Sequence, residues 1–276
     1  MRKLDIGVIG CGVVGGALVN YLTNNGWDGQ IKRNDPRLQL HDDVSDCDVA
    51  FICVPAETKQ MQVDLTNVHN AIEKCKGVPL IVLRTTVTPG TCDMLTKQYG
   101  KPIVFMPEFL TERTAWADMG EMDLIVGFPE LKNPIVHQQI KLEGIFKHKL
   151  FDYMTAKEAE MAKYAHNVFG AAKVTFFNGI RELCEIEKIS YEEVRRGFLN
   201  SGYINAMHTM VPGPDGQFGF GGKCFPKDLE AFIGYVKSNP LHLFLKDIFC
   251  LNRFYRGEKE YEHTKKENTE LASEAR

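Results

Sequence analysis

Short apolar runs alternate with segments of helical spacing through the first half of the chain, and this alternation constrains the fold most strongly. The runs are rich in Val, Ile and Leu without strict polar–apolar alternation, which is typical of strands buried on both faces. Strand–helix–strand repetition predicts a parallel sheet with right-handed crossovers. The predicted strands are Leu4–Ile9, Val49–Val54, Leu80–Leu83, Ile103–Met106 and Leu124–Val126, with helices at Val13–Asn24 and Leu65–Cys75.

The pattern changes near residue 154, where strands give way to helices. From Ala156 to Ile186 there is no proline and apolar residues recur every three or four positions, which predicts one long helix. A helix at Tyr191–Leu199, a loop rich in glycine and proline at Val211–Lys223, and a helical run from about Pro226 follow. We therefore predict a doubly wound domain at 1–153, an all-helical central domain at 154–256, and a charged, frayed tail at 257–276.

Composition excludes several classes of protein. The chain has 276 residues and a net charge of −3, which suits one or two globular domains and leaves no basic footprint for nucleic acid. No apolar run approaches the ~18 residues that span a membrane, and the N-terminus lacks the pattern of a signal peptide. None of the eight cysteines forms a CxxC pair, which indicates a reduced, cytoplasmic protein.

A glycine-rich turn follows the first predicted strand. Gly10, Gly12 and Gly15 fit the GxGxxG pattern and open a helix that carries Val14. In such a turn the first glycine permits the tight bend, the second lets the backbone approach a pyrophosphate, and the third lets helix and strand pack closely. Helix N-terminal amides then hold the phosphate charge. The fold class is thus α/β, a Rossmann-type doubly wound parallel sheet followed by an all-helical domain with one long helix.

An acidic residue about 20 positions after the third glycine is expected to bond the adenosine ribose of the dinucleotide. Asp35 stands at that distance from Gly15, at the end of a predicted strand, Gln30–Asn34. This favours NAD as the cofactor. Arg33 and Arg37 nearby leave NADP as the alternative.

The strongest local feature is the sequence FGFGGKCFPKD at 218–228. Cys224 follows a flexible glycine run and precedes Pro226, a favourable residue at the start of a helix. A helix N-terminus and the neighbouring lysines favour the thiolate over the thiol. Asp228 has the chemistry to orient water or relay a proton. Spacing alone leaves open whether Cys224 is a nucleophile or a structural cysteine.

Four segments, in the same order along the chain, resemble motifs of the UDP-glucose/GDP-mannose 6-dehydrogenase family. GGKCFPKD at 221–228 resembles the nucleophile segment of that family. LRTTVTPGT at 83–91 is similar to its strand-end segment, usually written with Ser-Thr-Val. PEFLTE at 107–112 resembles its Pro-Glu-Phe-Leu-x-Glu motif, and EMAKYAHN at 160–167 the opening of its central helix. The segments are spread along the chain from Leu83 to Asp228, and with the glycine turn at 10–15 the resemblance extends over nearly the whole chain up to about Leu229.

The resemblance implies an NAD-dependent enzyme that oxidises a primary alcohol of a nucleotide sugar to a carboxylate in two hydride transfers. A cysteine holds the aldehyde as a thiohemiacetal, which is oxidised to a thioester that water cleaves, while an ammonium and an amide stabilise the negative oxygen. The implied catalytic residues are Cys224, Lys163 and Asn167, with Asp228 and Glu112 for water and protons and Thr86 for a water or the nicotinamide. Glu112, Thr86 and Lys227 would also contact the cofactor, and Glu108, Phe109, Leu110, Lys163, Asn167 and Gly221 the substrate.

Two departures from the family pattern bear on the substrate. Full-length members continue into a third α/β domain that binds the nucleotide half of the substrate, whereas the residues after Leu241 show no strand–helix–strand pattern. We therefore expect a shortened form that lacks this UDP-binding domain. The family's Arg-Ile-Gly is replaced by Tyr203-Ile204-Asn205, which removes an arginine used for the substrate. A nucleotide sugar or a smaller sugar derivative is the expected substrate.

The sequence is compatible with two other functions. One is a single-step NAD-dependent dehydrogenase of the hydroxy-acid type, which would use Lys163 and Asn167 but not Cys224. The other is a non-catalytic NAD-binding subunit that requires a partner protein. The eight histidines lack metal-ligand spacing, so no metal is expected.

The long helix also predicts a partner. Near its middle the helix has the small residues Gly170, Ala171 and Ala172, which would let another helix approach closely. This pattern suggests a helix-packed dimer, and the family resemblance likewise implies a homodimer. The apolar stripe of the helix comprises Met161, Ala165, Val168, Ala172, Phe176, Ile180 and Leu183.

Overall fold

The structure is a computed structural model that describes residues 3–130 and 136–258. The chain divides into two compact units, Met1–Tyr164 and Ala165–Arg276, here called the N-terminal and C-terminal units. The predicted tail at 257–276 lies outside the described residues, apart from Gly257 and Glu258. The predicted domain limits, 1–153 and 154–256, stay predictions.

The N-terminal unit alternates strands and helices. Its strands are β1 (Ile6–Ile9), β2 (Ile31–Asp35), β3 (Leu40–His41), β4 (Val49–Ile52), β5 (Thr58–Lys59), β6 (Gln62–Val63), β7 (Ile81–Leu83), β8 (Ile103–Phe105), β9 (Leu124–Phe128) and β10 (Phe151–Thr155). Its helices are α1 (Val13–Asn24), α2 (Thr66–Lys74), α3 (Thr91–Tyr99), α4 (Ala115–Glu121), α5 (Val136–Ile145) and the first part of α6 (Ala156–Ile186), with a 3-10 turn at Pro36–Leu38.

Among the described residues, eight strands form one sheet in the order β10-β9-β8-β7-β4-β1-β2-β3, while β5 and β6 form a separate hairpin. Alternate residues of a central strand face opposite sides: Val49 and Phe51 of β4 pack with α1 and α4, whereas Ala50 and Ile52 pack with α2 and α3. All four are fully buried. Burial on both faces is why the strands are continuous apolar runs, and it confirms the predicted α/β, Rossmann-type class.

The sheet is parallel from β2 through β8, but its two ends differ from the prediction. β9 pairs antiparallel with β8, and β3 pairs antiparallel with β2. An antiparallel strand starts at the edge where its neighbour ended, so the segment between β8 and β9 does not cross the sheet. Apolar content does not encode strand direction, and the parallel prediction is therefore wrong for the β8–β9 pair. The short strand β3 is not predicted from the sequence.

The C-terminal unit is helical and comprises the rest of α6, α7 (Tyr191–Asn200), α8 (Phe225–Tyr235) and α9 (Leu241–Tyr255). The small residue Gly170 is covered within this unit, because a Cβ atom there would lie 2.5 Å from the ring of Phe225. The element that approaches the thin part of α6 is thus α8 of the same chain. Within the described part of the chain, no helix has the length and apolarity to cross a membrane.

Candidate functional site

The glycine turn after β1 has the geometry that its sequence predicts. Gly10 has a φ of +83°, a left-handed conformation that glycine favours. A Cβ atom on Gly15 would lie 1.9 Å from the carbonyl oxygen of Gly10, so no larger residue fits there. A Cβ atom on Gly12, the N-cap of α1, would meet nothing within 4 Å. Open space beside the N-terminus of α1, whose first turn includes Val14, suits a phosphate group.

A cavity of about 440 Å³ lies beside this turn and is lined by residues of β1, β2 and α2. Asp35, the last residue of β2, lines it. Its carboxylate accepts hydrogen bonds from the backbone N–H groups of Cys11 at 2.7 Å and Arg37 at 3.1 Å. Each carboxylate oxygen has further lone pairs for a ribose hydroxyl. The cavity therefore fits the adenosine half of a dinucleotide.

The segment between β7 and α3 carries Thr86, which is partly exposed. Its neighbour Thr85 donates a hydrogen bond from Oγ1 to the carbonyl oxygen of Val54 at 2.7 Å. At the far end of the segment, the backbone N–H of Gly90 donates to the carboxylate of Glu160 at 2.5 Å. Thr86 thus lies in a turn that is held on both sides.

Lys163 of α6 contacts the segment that follows β8. Its side chain is only 5% exposed, and Nζ donates to the carbonyl oxygen of Glu108 at 2.5 Å. The same atom lies 3.4 Å from Glu108 Oε1 and 5.1 Å from the centroid of the Phe109 ring. Glu108 Oε2 accepts from the backbone N–H of Leu110 at 2.7 Å. The Lys163 ammonium is therefore buried and held in place. Glu112, four residues after Glu108, is exposed.

Cys224 is the N-cap residue of α8, and of the eight cysteines, all of which lie in described residues, it alone is exposed. Asp228, one turn into α8, is 1% exposed. Its Oδ2 accepts from Asn167 Nδ2 at 2.6 Å, and its Oδ1 pairs with the Lys227 ammonium. Asn167 Oδ1 lies 2.9 Å from His166 Nδ1. The Asn167 amide keeps a second N–H, and the thiol lies at the positive end of a helix dipole.

The glycine loop before Cys224 is held by side chains of α6 and α9. The backbone N–H of Gly219, where φ is +69°, donates to Asn178 Oδ1 at 2.8 Å. The backbone N–H of Phe220 donates to Asn252 Oδ1 at 2.6 Å. A Cβ atom on Gly221 would lie 2.4 Å from a terminal nitrogen of Arg256, so a larger residue there would displace the arginine side chain. These contacts fix the chain that leads into α8.

Several residues that are not among the predicted site residues support these groups. Arg84 is 3% exposed, its two terminal nitrogens each donate to the sulfur of Met119 at 3.8 Å, and burial lowers the pKa of its guanidinium. Glu160 lies three residues before Lys163, and this spacing on one helix face is the sequence signal for a shared role. Asn178, Asn252 and Arg256 carry no such signal, because their partners are distant in sequence.

The predicted residues form contacts within each unit. The N-terminal unit brings Lys163, Glu108, Phe109 and Leu110 together, and the C-terminal unit brings Asp228, Asn167 and Lys227 together beside the start of α8. Lys163 and Asn167 are one helical turn apart on α6.

Models of protein families match the chain in two places. Residues 30–147 match the NAD binding domain of the UDP-glucose/GDP-mannose dehydrogenase family, and residues 157–249 match its central domain. The two matches cover most of the chain and include every predicted site residue except those of the glycine turn. The first match confirms NAD as the cofactor predicted from the sequence.

Individual relatives agree with this match. The UDP-glucose 6-dehydrogenase of Pseudomonas aeruginosa is 29% identical over 211 residues, which are 70% of this chain and 46% of the relative. The chain spans about half the length of the curated relatives it matches.

Two solved structures share the fold, and at their low identities they establish the fold alone. A UDP-glucose dehydrogenase from Pyrobaculum islandicum aligns with 92% of this chain and 68% of its own, with a TM-score of 0.79 and 22% identity. The 3-hydroxyisobutyrate dehydrogenase of Mycobacterium tuberculosis aligns with 94% of this chain and 97% of its own, with a TM-score of 0.68 and 16% identity. The family resemblance of the motifs is confirmed by the two family models, and the chain belongs to the UDP-glucose/GDP-mannose dehydrogenase family.

Proposed function

We propose that the chain is an NAD-dependent dehydrogenase that oxidises the primary alcohol of a UDP-glucose-like nucleotide sugar to a carboxylate in two steps. The observation that carries the proposal is Cys224, exposed at the N-terminus of α8, with the buried Asp228 one turn further on and hydrogen-bonded to Asn167 of α6. The substrate class follows from relatives named UDP-glucose 6-dehydrogenase.

NAD supplies the hydride acceptor for each of the two oxidations. Gly10 and Gly15 permit the tight turn, the open space beside Gly12 would hold the pyrophosphate at the start of α1, and Asp35 would accept from a ribose hydroxyl. A carboxylate at this position disfavours the 2′-phosphate of NADP. Thr86 would hold a water or the nicotinamide, and Glu112 and Lys227 would contact the cofactor.

In the first oxidation the alcohol carbon loses a hydride and its hydroxyl loses a proton, which leaves an aldehyde. The Cys224 thiolate then forms a carbon–sulfur bond to the aldehyde carbon. The Lys163 ammonium and the second N–H of Asn167 stabilise the oxyanion, which takes up a proton to give the thiohemiacetal. Glu108, Phe109, Leu110 and Gly221 hold the sugar nucleotide during these steps.

In the second oxidation the thiohemiacetal loses a hydride from carbon and a proton from oxygen, which gives a thioester. Water then attacks the thioester carbon, the carbon–sulfur bond breaks, and the sulfur leaves as thiolate. Asp228 and Glu112 accept the protons that the water and the hydroxyl groups release. The product is a carboxylate, and Cys224 is restored.

We further propose a second copy of the chain as the partner. Phe169, Phe176 and Leu183 recur every seven residues on α6 and are 64%, 55% and 55% exposed. They line a cavity of about 720 Å³ whose wall also includes apolar residues of α7 and α9. A row of large apolar side chains on one helix face is typical of a protein–protein interface.

The test is to count the NADH released by the purified chain for each molecule of UDP-sugar or GDP-sugar consumed. We expect two NADH per sugar for the wild type. Cys224→Ser is expected to stop after one oxidation and to accumulate aldehyde, because serine does not form the thioester. Cys250→Ser, a change at a partly exposed cysteine of α9, serves as the matched control.

The same NADH count distinguishes the alternative functions. If Cys224→Ser keeps its rate and one NADH is released per substrate, the chain is a single-step dehydrogenase. If NAD binds and no sugar nucleotide is oxidised, the substrate is smaller or the chain is a non-catalytic subunit.

A further inference from the structure

Glu160 is a fully buried carboxylate outside the set of residues to which the proposed reaction assigns a role. It lies in the second turn of α6 and reaches the start of α3. Oε2 accepts from the backbone N–H of Gly90 at 2.5 Å, and Oε1 accepts from that of Cys92 at 2.8 Å. Both oxygens of one side chain therefore bind backbone groups about 70 residues away in sequence.

These bonds supply a cap that the local sequence of α3 lacks. The N-cap of this nine-residue helix is Gly90, which has a φ of +93° and no side chain to accept a hydrogen bond. The first N–H groups of a helix need an acceptor, and a carboxylate there also interacts favourably with the helix dipole. Glu160 provides both from another helix.

The bond between Gly90 and Glu160 also anchors the turn between β7 and α3. Thr85 is held at one end of this turn by its bond to Val54, and Gly90 is held at the other end by Glu160. Thr86 lies between the two anchors. Glu160 also precedes Lys163 by three residues, so one stretch of α6 holds both the turn and the segment of Glu108.

We propose that Glu160 is a positioning residue that holds the Thr86 turn against the part of α6 that carries Lys163. The contacts stand on their own, whereas the catalytic use of Thr86 and Lys163 rests on the proposed function.

The ionisation of Glu160 makes this role measurable. Burial raises the pKa of its carboxyl to about 7, although the two backbone N–H bonds act in the opposite direction. The titratable groups that act on it from α3 are the Cys92 thiol and the Asp93 carboxylate. Once protonated, a carboxyl group carries a donor on one oxygen and can no longer accept well from two N–H groups. The turn should then loosen as the pH falls through neutrality.

The experiment follows the threonine methyl and backbone amide signals of the intact chain by NMR across neutral pH, without substrate. Thr86→Ser assigns the Thr86 methyl signal by removing it. We expect that signal to move with a midpoint near 7 in the wild type, together with the Gly90 and Cys92 amides. The movement should be absent in Glu160→Gln and preserved in Glu158→Gln, a matched change at an exposed glutamate of the same helix.

Either of two results would overturn the inference. A Thr86 signal that stays still in the wild type would mean that Glu160 caps α3 without positioning the turn. A titration of Thr86 that persists in Glu160→Gln would assign it to another group. Apart from its assignment with Thr86→Ser, the titration is measured on the wild type alone, and its outcome is independent of whether the chain oxidises a nucleotide sugar.

Discussion

The ionisation of a buried side chain differs between the folded and unfolded chain, and Glu160 is the clearest case here. The pKa of its carboxyl is about 7 in the folded chain, against an ordinary value of 4.5. Between these values the folded chain keeps a proton on Glu160 that the unfolded chain has released. By linkage, the free energy of unfolding then falls as the pH rises through that range.

We expect the free energy of unfolding of the wild type, relative to Glu160→Gln, to fall as the pH rises from 4.5 to about 7. The fall should approach ~3 kcal/mol, because one pKa unit corresponds to ~1.4 kcal/mol and glutamine does not ionise. Urea unfolding at a series of pH values measures it. Glu158→Gln, which is exposed, should not reproduce this change, and a difference from Glu160→Gln that is constant with pH would contradict the prediction.

The sequence identifies individual site residues more readily than it identifies the groups that those residues contact. Motif resemblance selects Asn167 and Asp228, but their hydrogen bond joins positions 61 residues apart and requires the tertiary fold. Lys163 lies away from the apolar stripe of α6, and it is buried because Glu108 and Phe109 cover it. Glu160 is missed as a site residue for the same reason, since its acceptor role depends on where α3 begins.

For whole elements, spacing predicts a helix better than it predicts a sheet. The predicted helix from Ala156 to Ile186 has the bounds of α6, because an uninterrupted helical period without proline extends between them. The strand β10 is not predicted, since its residues are only partly buried and its apolar content is diluted. The direction of β9 depends on the connection from β8, which no local pattern records.

The close contact between α6 and α8 at Gly170 should make this position sensitive to substitution. We expect Gly170→Ala to destabilise the chain by about 1–3 kcal/mol, because its Cβ atom would overlap the ring of Phe225. The ring has little room to move, since it contacts His208 and Phe220. Thermal or urea unfolding measures the change.

Gly179→Ala on the same helix is the matched control for this substitution. Its Cβ atom would lie 3.5 Å from the hydroxyl of Tyr255, an ordinary contact. It should be neutral or stabilising by up to about 1 kcal/mol, as expected for alanine in place of glycine in a helix. Equal effects of the two substitutions would show that the Phe225 contact does not limit residue 170.

On the scale of the whole molecule, a pattern of apolar residues does not reveal whether the same chain covers them. The predicted stripe of α6 includes Val168, which is 7% exposed, and Phe176 and Leu183, which are each 55% exposed. Apolar spacing in the sequence does not distinguish these three residues. The buried part packs within the C-terminal unit, and the exposed part is the surface to which we assign the second copy.

If a second copy covers this surface, the wild type should have twice the monomer mass by light scattering, and Phe176→Asp should have the monomer mass. A specific interface buries about 800 Å² per partner, and a carboxylate at its centre would lose its hydration without gaining a partner. Trp116→Asp is the matched control, because Trp116 is 60% exposed but lies on α4 of the N-terminal unit. It should keep the wild-type mass. A monomeric wild type would exclude the homodimer, and a Phe176→Asp variant that keeps the doubled mass would move the interface to another surface.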